Sequence, residues 1–161
     1  MTIPKAGESQ KKTDDPTVMK GNVKILYLIV ACCWLAGIAV SLVVGISLEP
    51  MMSVHPVIDS FFLTLTVFVF SMLFFGYVAP IIMFAVGMMQ GAVFAQNQLN
   101  FLLAAPVLLA SYAGVLAGIY LRRDMQGKDN FFDHKKPIMI YVVVASVLSI
   151  AIPVLLMFFS V

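Results

Sequence analysis

Apolar residues run along this chain in blocks too long for the core elements of a soluble domain. Residues 1–24 are mostly polar; apolar residues then dominate 25–48, 60–96, 101–121 and 137–161, with short polar breaks between them. A membrane-crossing helix needs about 20 apolar residues to traverse a hydrocarbon layer about 30 Å thick. The first, third and fourth blocks each fit one crossing. The second does not, since as continuous helix it would run about 55 Å, nearly twice the bilayer. It needs a turn near its middle, and Gly-Tyr-Val-Ala-Pro at 76–80 offers one. Gly76 tolerates a positive φ, while Pro80 disfavours helix at Ala79 and suits the first turn of a new helix. The expected fold is an all-α integral membrane protein. Its five transmembrane helices fall near 25–48, 58–75, 79–96, 101–122 and 137–160, behind a polar tail at 1–24.

Composition and charge agree and add orientation. Of 161 residues, 61% are hydrophobic and 11% charged, against about 45–50% and about 25% in soluble domains. All ten Lys and Arg lie in 5–24 and 122–136, and no Asp, Glu, Lys or Arg occurs in 60–121. Basic residues concentrate on the cytoplasmic side of membrane proteins. Five spans put the tail and the 122–136 loop on one side; four would divide them. The expectation is therefore a cytoplasmic N-terminus and an external C-terminus in the cell membrane, with Glu49 and Asp59 the only charges in the outer loops. The first block exceeds the 7–15 apolar residues of a signal peptide and follows a polar tail, so it is expected to be an anchor. The tail, poor in apolar residues, is expected to be mobile unless a partner orders it. Cys32 and Cys33 are adjacent and stand alone, which predicts no disulfide framework.

The spans differ in what they can pack against. Small residues recur every fourth position in the first (Cys33, Gly37, Ser41, Gly45), third (Gly87, Gly91, Ala95) and fourth (Ala110, Gly114, Gly118). Such stripes let helix backbones approach closely, which matters where lipid offers no hydrophobic drive. These three helices are expected to form a tight core. The second span instead carries Phe61, Phe62, Phe68, Phe70, Phe74 and Phe75. It is expected to stay outside that core, facing lipid or, through Phe62, Phe68 and Phe70, a partner's helices. Pro153 predicts a kink or local break in the last span.

Candidate chemistry is sparse. Ionisable groups inside a membrane usually mark function, and 60–121 holds none. Gln90 lies within a small-residue stripe and is expected to hydrogen-bond to the first or fourth helix as structural glue, the alternative being a pore lining with Ser111 and Tyr112. Met51, Met52 and His55 are of the types that suit copper, but a fourth ligand is missing and no metal site is expected. The loop at 122–136 carries Asp129, Asp133 and His134 without a nucleophile or a complete metal set. It reads as an inner loop whose Phe131 and Phe132 dip into the interface while Arg122, Arg123, Lys135 and Lys136 meet anionic headgroups. The chain lacks a P-loop, a GxSxG, an HExxH and a CxxC motif. No enzyme activity, cofactor or nucleic-acid partner is expected.

The order of features resembles the stage II sporulation protein M family. A first anchor is followed by a helix pair whose second member carries "MFAVGMMQGAVFA", then by a glycine-rich helix before a basic loop, "APVLLASYAGVLAGIYLRR". Of that family's Pro-His-Gly segment and following Glu, only Pro106 has a counterpart here. The resemblance implies a non-enzymatic membrane scaffold. The function expected is such a scaffold or accessory subunit, working through the bilayer and other integral membrane proteins or through self-association. The alternatives are a subunit of a membrane enzyme whose chemistry lies on another chain, and a small channel or permease.

Overall fold

The computed structural model describes residues 16–45, 56–94, 98–127 and 130–159. Among them are five α-helices: α1 (Pro16–Val44), α2 (Pro56–Met72), α3 (Ala79–Phe94), α4 (Ala104–Met125) and α5 (Lys135–Phe159). Short 3-10 turns at Leu73–Gly76, Gln98–Leu103 and Phe131–His134 precede α3, α4 and α5, and the described residues form no strand. Three stretches are long and apolar enough to cross a membrane: Val23–Val44, Phe101–Met125 and Lys135–Phe158; α2 and α3 are apolar but shorter.

The turn inside the long apolar block falls where glycine and proline chemistry places it. Gly76 has φ +83°, and the Val78 carbonyl accepts from the N–H groups of Ile81 at 3.1 Å and Ile82 at 3.2 Å, opening α3. Pro80 then occupies the first turn, where its missing N–H costs nothing.

Elsewhere the helix ends differ from expectation. α1 begins at Pro16, well inside the expected tail, because proline suits a first helical position; residues 1–15 lie outside the described residues. α1 stops at Val44, and Gly45 takes φ +67° just past its end. A side chain there would meet nothing within 4 Å, so Gly45 is a helix terminator and not the last member of a packing stripe. α5 runs through the buried Pro153 without the local break offered as one expectation there. Proline removes only one hydrogen bond there, and a packed membrane helix tolerates that loss.

Contacts define helix direction. Trp34 lies against Gly87 and Ser41 against Gly91, so the partners advance together and α1 is parallel to α3. The Phe68 carbonyl faces Gly114 and Gly76 abuts Val115, so α2 is parallel to α4. Tyr112 touches Tyr141, and Leu116 shares a cluster with Ile138, which makes α5 antiparallel to α4. Tyr27 meets Tyr112 while Val23 shares a cluster with Leu116 and Ala117, so α1 is antiparallel to α4 and successive helices alternate in direction. The first, third and fourth helices share a buried cluster, which Val67 of α2 joins, but their small-residue stripes do not meet as one trio. α1 pairs chiefly with α3, and α4 chiefly with α2 and α5.

Candidate functional site

The most specific chemistry lies along the α1–α3 seam. A Cβ built on Gly37 would sit 2.2 Å from the Phe84 carbonyl oxygen, and one on Gly87 would sit 2.2 Å from the Trp34 carbonyl oxygen. The contact is reciprocal. Because a glycine Cα–H points in the direction a Cβ would take, each glycine directs a C–H at the opposing carbonyl. Such contacts contribute about 0.5–1 kcal/mol each. One turn on, a Cβ on Gly91 would lie 2.8 Å from Ser41 Cβ and 3.0 Å from Ile38 Cα. No residue larger than glycine fits at these places without separating the helices.

A polar clasp crosses the same seam. Trp34 Nε1 donates to Gln90 Oε1 at 2.7 Å, and Gln90 Nε2 donates to the Leu103 carbonyl at 3.5 Å. Both side chains are buried. The hydrogen bond expected of Gln90 thus runs to α1 and continues to the entrance of α4. In an apolar setting an unpaired indole N–H or amide would be costly, so the two groups fix each other and the register of the pair.

The second seam is built differently. A Cβ on Gly114 would meet the Phe68 carbonyl oxygen at 2.5 Å and Ser71 Cβ at 2.7 Å. Gly118 is buried further along α4. The facing stripe on α2 is Thr64, Val67 and Ser71, all buried. α2 therefore joins the close-packed body, contrary to expectation. Its phenylalanines divide: Phe62 and Phe70 are exposed, whereas Phe68 packs on the cluster of Val23, Leu116, Ala117 and Ile138. Thr64 turns its hydroxyl inward along its own helix and donates to the Ser60 carbonyl at 2.8 Å. A narrow recess remains between α2, α4 and α5, lined by Thr64, Phe68, Ala110, Val142 and Ser146.

The remaining candidates do not converge on a site. Ser111 is fully buried. Tyr112 stands in a chain of edge-to-face rings, 4.7 Å from Tyr27 and 5.0 Å from Tyr141. Met51, Met52 and His55 lie outside the described residues, as does Asp129. Among the described residues no group of three His, Cys, Asp or Glu could hold a metal ion.

Sequence reasoning missed two residues. Trp34 is the chain's single tryptophan and lies mid-span instead of in an interfacial belt, a placement that calls for a buried acceptor. Tyr77 lies in the expected turn, and Arg122 Nη1 donates to its hydroxyl. Comparison with family models, curated proteins and solved structures gives no match.

Proposed function

We propose that this chain is a five-span scaffold or accessory subunit of the cell membrane, without catalytic chemistry of its own, that docks to other integral membrane proteins. Its N-terminus is cytoplasmic and its C-terminus external. Alternating helix direction supports five crossings, as does the length of the second one. α2 and the turn that extends it, Leu73–Gly76, together reach about 33 Å. α3 is the short member at about 24 Å, a mismatch the bilayer can absorb by thinning. The family resemblance implies the same kind of role.

One observation carries the reading. The interior is filled at backbone level along both glycine seams, with Gln90 and Ser111 buried, while the outer faces of α1 and α5 are broad and apolar. Leu28, Leu35 and Val43 on α1, with Val143, Val147 and Phe158 on α5, are exposed. That arrangement favours lateral docking over a solute path through one chain. Extraction in a gentle detergent tests it: stoichiometric membrane proteins should co-purify. A homo-oligomer that carries solute flux in liposomes would overturn it in favour of a channel. Orientation has its own test, since cysteines placed at Gln98 and at Lys128 should react with an impermeant reagent from opposite sides. Labelling of both from outside would end the five-span reading.

A further inference from the structure

The basic end of the bundle holds an arrangement more specific than a diffuse patch of charge. Arg122, in the last turn of α4, donates from Nη1 to the Tyr77 hydroxyl and places its guanidinium carbon 5.5 Å from the centre of the Tyr77 ring. Tyr77 sits in the α2–α3 turn and is 61% exposed. At the same end of the bundle, Lys135 at the start of α5 lies 5.6 Å from the centre of the Phe132 ring. Val23 of α1 packs on Leu116, Ala117 and Ile138, which brings exposed Lys24 to this end as well. Lys136 is exposed here, and Asp124 and Asp133 are the acidic side chains described at the same end.

A guanidinium anchored to the hydroxyl at the edge of a tyrosine ring is held in place, which lowers the entropy lost when its remaining N–H groups meet an anion. The Tyr77 oxygen accepts from Arg122, and its own O–H remains able to donate. Together they offer converging donors suited to two oxygens of one phosphodiester. Their surroundings select the kind of phosphodiester. Ile81, Met125 and Phe132 are all strongly exposed at this end of the bundle, and a soluble anion would gain nothing from them. A lipid would lay its acyl chains along them and bring its phosphate to the level where the spans end.

We propose that Tyr77 and Arg122 form a binding site for the phosphodiester headgroup of an anionic phospholipid, with Lys24, Lys135 and Lys136 supplying the surrounding positive field. The proposal rests on the reading of α4 and α5 as membrane spans. It needs neither a protein partner nor a known sidedness.

Native mass spectrometry of the full-length protein, released from micelles holding phosphatidylglycerol and phosphatidylcholine of identical chains, tests it. Phosphatidylglycerol should be retained several-fold over phosphatidylcholine. Arg122→Gln and Tyr77→Leu should each remove the preference, and Arg122→Lys, which keeps the charge without the fork, should weaken it. Lys136→Gln, which removes one charge of the surrounding field and no donor of the pair, should weaken it less than Arg122→Gln. Equal retention of the two lipids, insensitivity to Arg122→Gln, or an equal loss in Lys136→Gln would overturn the site. So would displacement of the lipid by excess inorganic phosphate, which would assign the donors to a soluble anion. Should Arg122→Gln fail to fold, Arg122→Lys and Tyr77→Leu still carry the comparison. Failure here would leave co-purifying partners unaffected, and absence of partners would leave the lipid preference unaffected.

Discussion

The two parallel helix pairs reach close contact by different means. Along α1–α3, glycine faces backbone on both sides, Gly37 against Phe84 and Gly87 against Trp34. Along α2–α4 only α4 contributes glycine, and α2 answers with Ser71 and the backbone of Phe68. The first seam is also clasped by the Trp34–Gln90 hydrogen bond. Ser41 Oγ on the first seam lacks a partner in the structure, as do Ser71 Oγ and Ser111 Oγ on the second, where a recess is also left beside α5. Reciprocal glycine removes every adjustable atom from a contact. A Cβ would come within 2.2 Å of a main-chain oxygen at Gly37 and at Gly87 on the first seam, and within 2.5 Å at Gly114 on the second.

That contrast ranks the substitutions. Gly87→Leu should be the most damaging, since even its Cβ would collide with a main-chain oxygen that cannot move independently. A cost of at least about 2–3 kcal/mol is expected, read as loss of the monodisperse species in gel filtration. Gly114→Leu should follow, because its Cβ would approach the Phe68 carbonyl oxygen at 2.5 Å, against 2.2 Å between a Cβ on Gly87 and the Trp34 carbonyl oxygen. If Gly114→Leu proves worse than Gly87→Leu, the reciprocal seam is not the tighter of the two. If both variants assemble normally, the stripes are incidental.

Gln90→Leu comes next. It leaves the Trp34 indole N–H unpaired, with an expected cost of about 1–2 kcal/mol. Because Trp34 is the only tryptophan, intrinsic fluorescence reports on the clasp directly. The emission should shift to the blue, together with a lower Tm. An unchanged spectrum would show that the clasp does not form in solution.

The smallest effects belong to α2's aromatic residues. Phe68→Leu should cost under about 1.5 kcal/mol, as a shape change in a half-buried site. Phe62→Leu and Phe70→Leu, at exposed positions, should leave stability unchanged within about 0.5 kcal/mol. Thermal unfolding of each single variant measures this difference. Joined in one chain, the three substitutions test the docking role: retention of all co-purifying proteins would move the partner surface to α5 or to the 122–136 loop.

Much of this organisation was legible in the amino-acid order, but unevenly. Gly76 and Pro80 announced the turn, and Gly87, Gly91 and Gly114 announced close approach, because glycine has few other reasons to recur within a span. Which stripe meets which was not legible. One small-residue stripe fits another about equally well, so the pattern cannot distinguish a trio from two pairs. The α2 stripe was hidden for a related reason: Thr64, Val67 and Ser71 are interleaved with phenylalanines that dominate the composition. Gly45 was misread because a four-residue period does not mark where its helix ends. The Trp34–Gln90 clasp was legible from its Gln90 side alone. The Arg122–Tyr77 contact joins residues 45 apart in sequence, and no local pattern connects them.

The order of pairing also bears on how the chain is made. Among the first four helices each close partner is two helices away along the chain, α1 with α3 and α2 with α4, so none of α1 to α3 meets its best neighbour when the next one emerges. On the five-span proposal, α1 waits in the bilayer with Gly37 and Ser41 turned to lipid, and the Trp34 indole N–H has no acceptor from its own seam until Gln90 has been synthesised. Gln90 in turn donates to the Leu103 carbonyl, so the joint is complete only as α4 begins to form. Birth of the protein therefore passes through a stage in which its most contact-hungry surface is open, the stage at which an insertion factor or a misplaced neighbour has most to gain by binding.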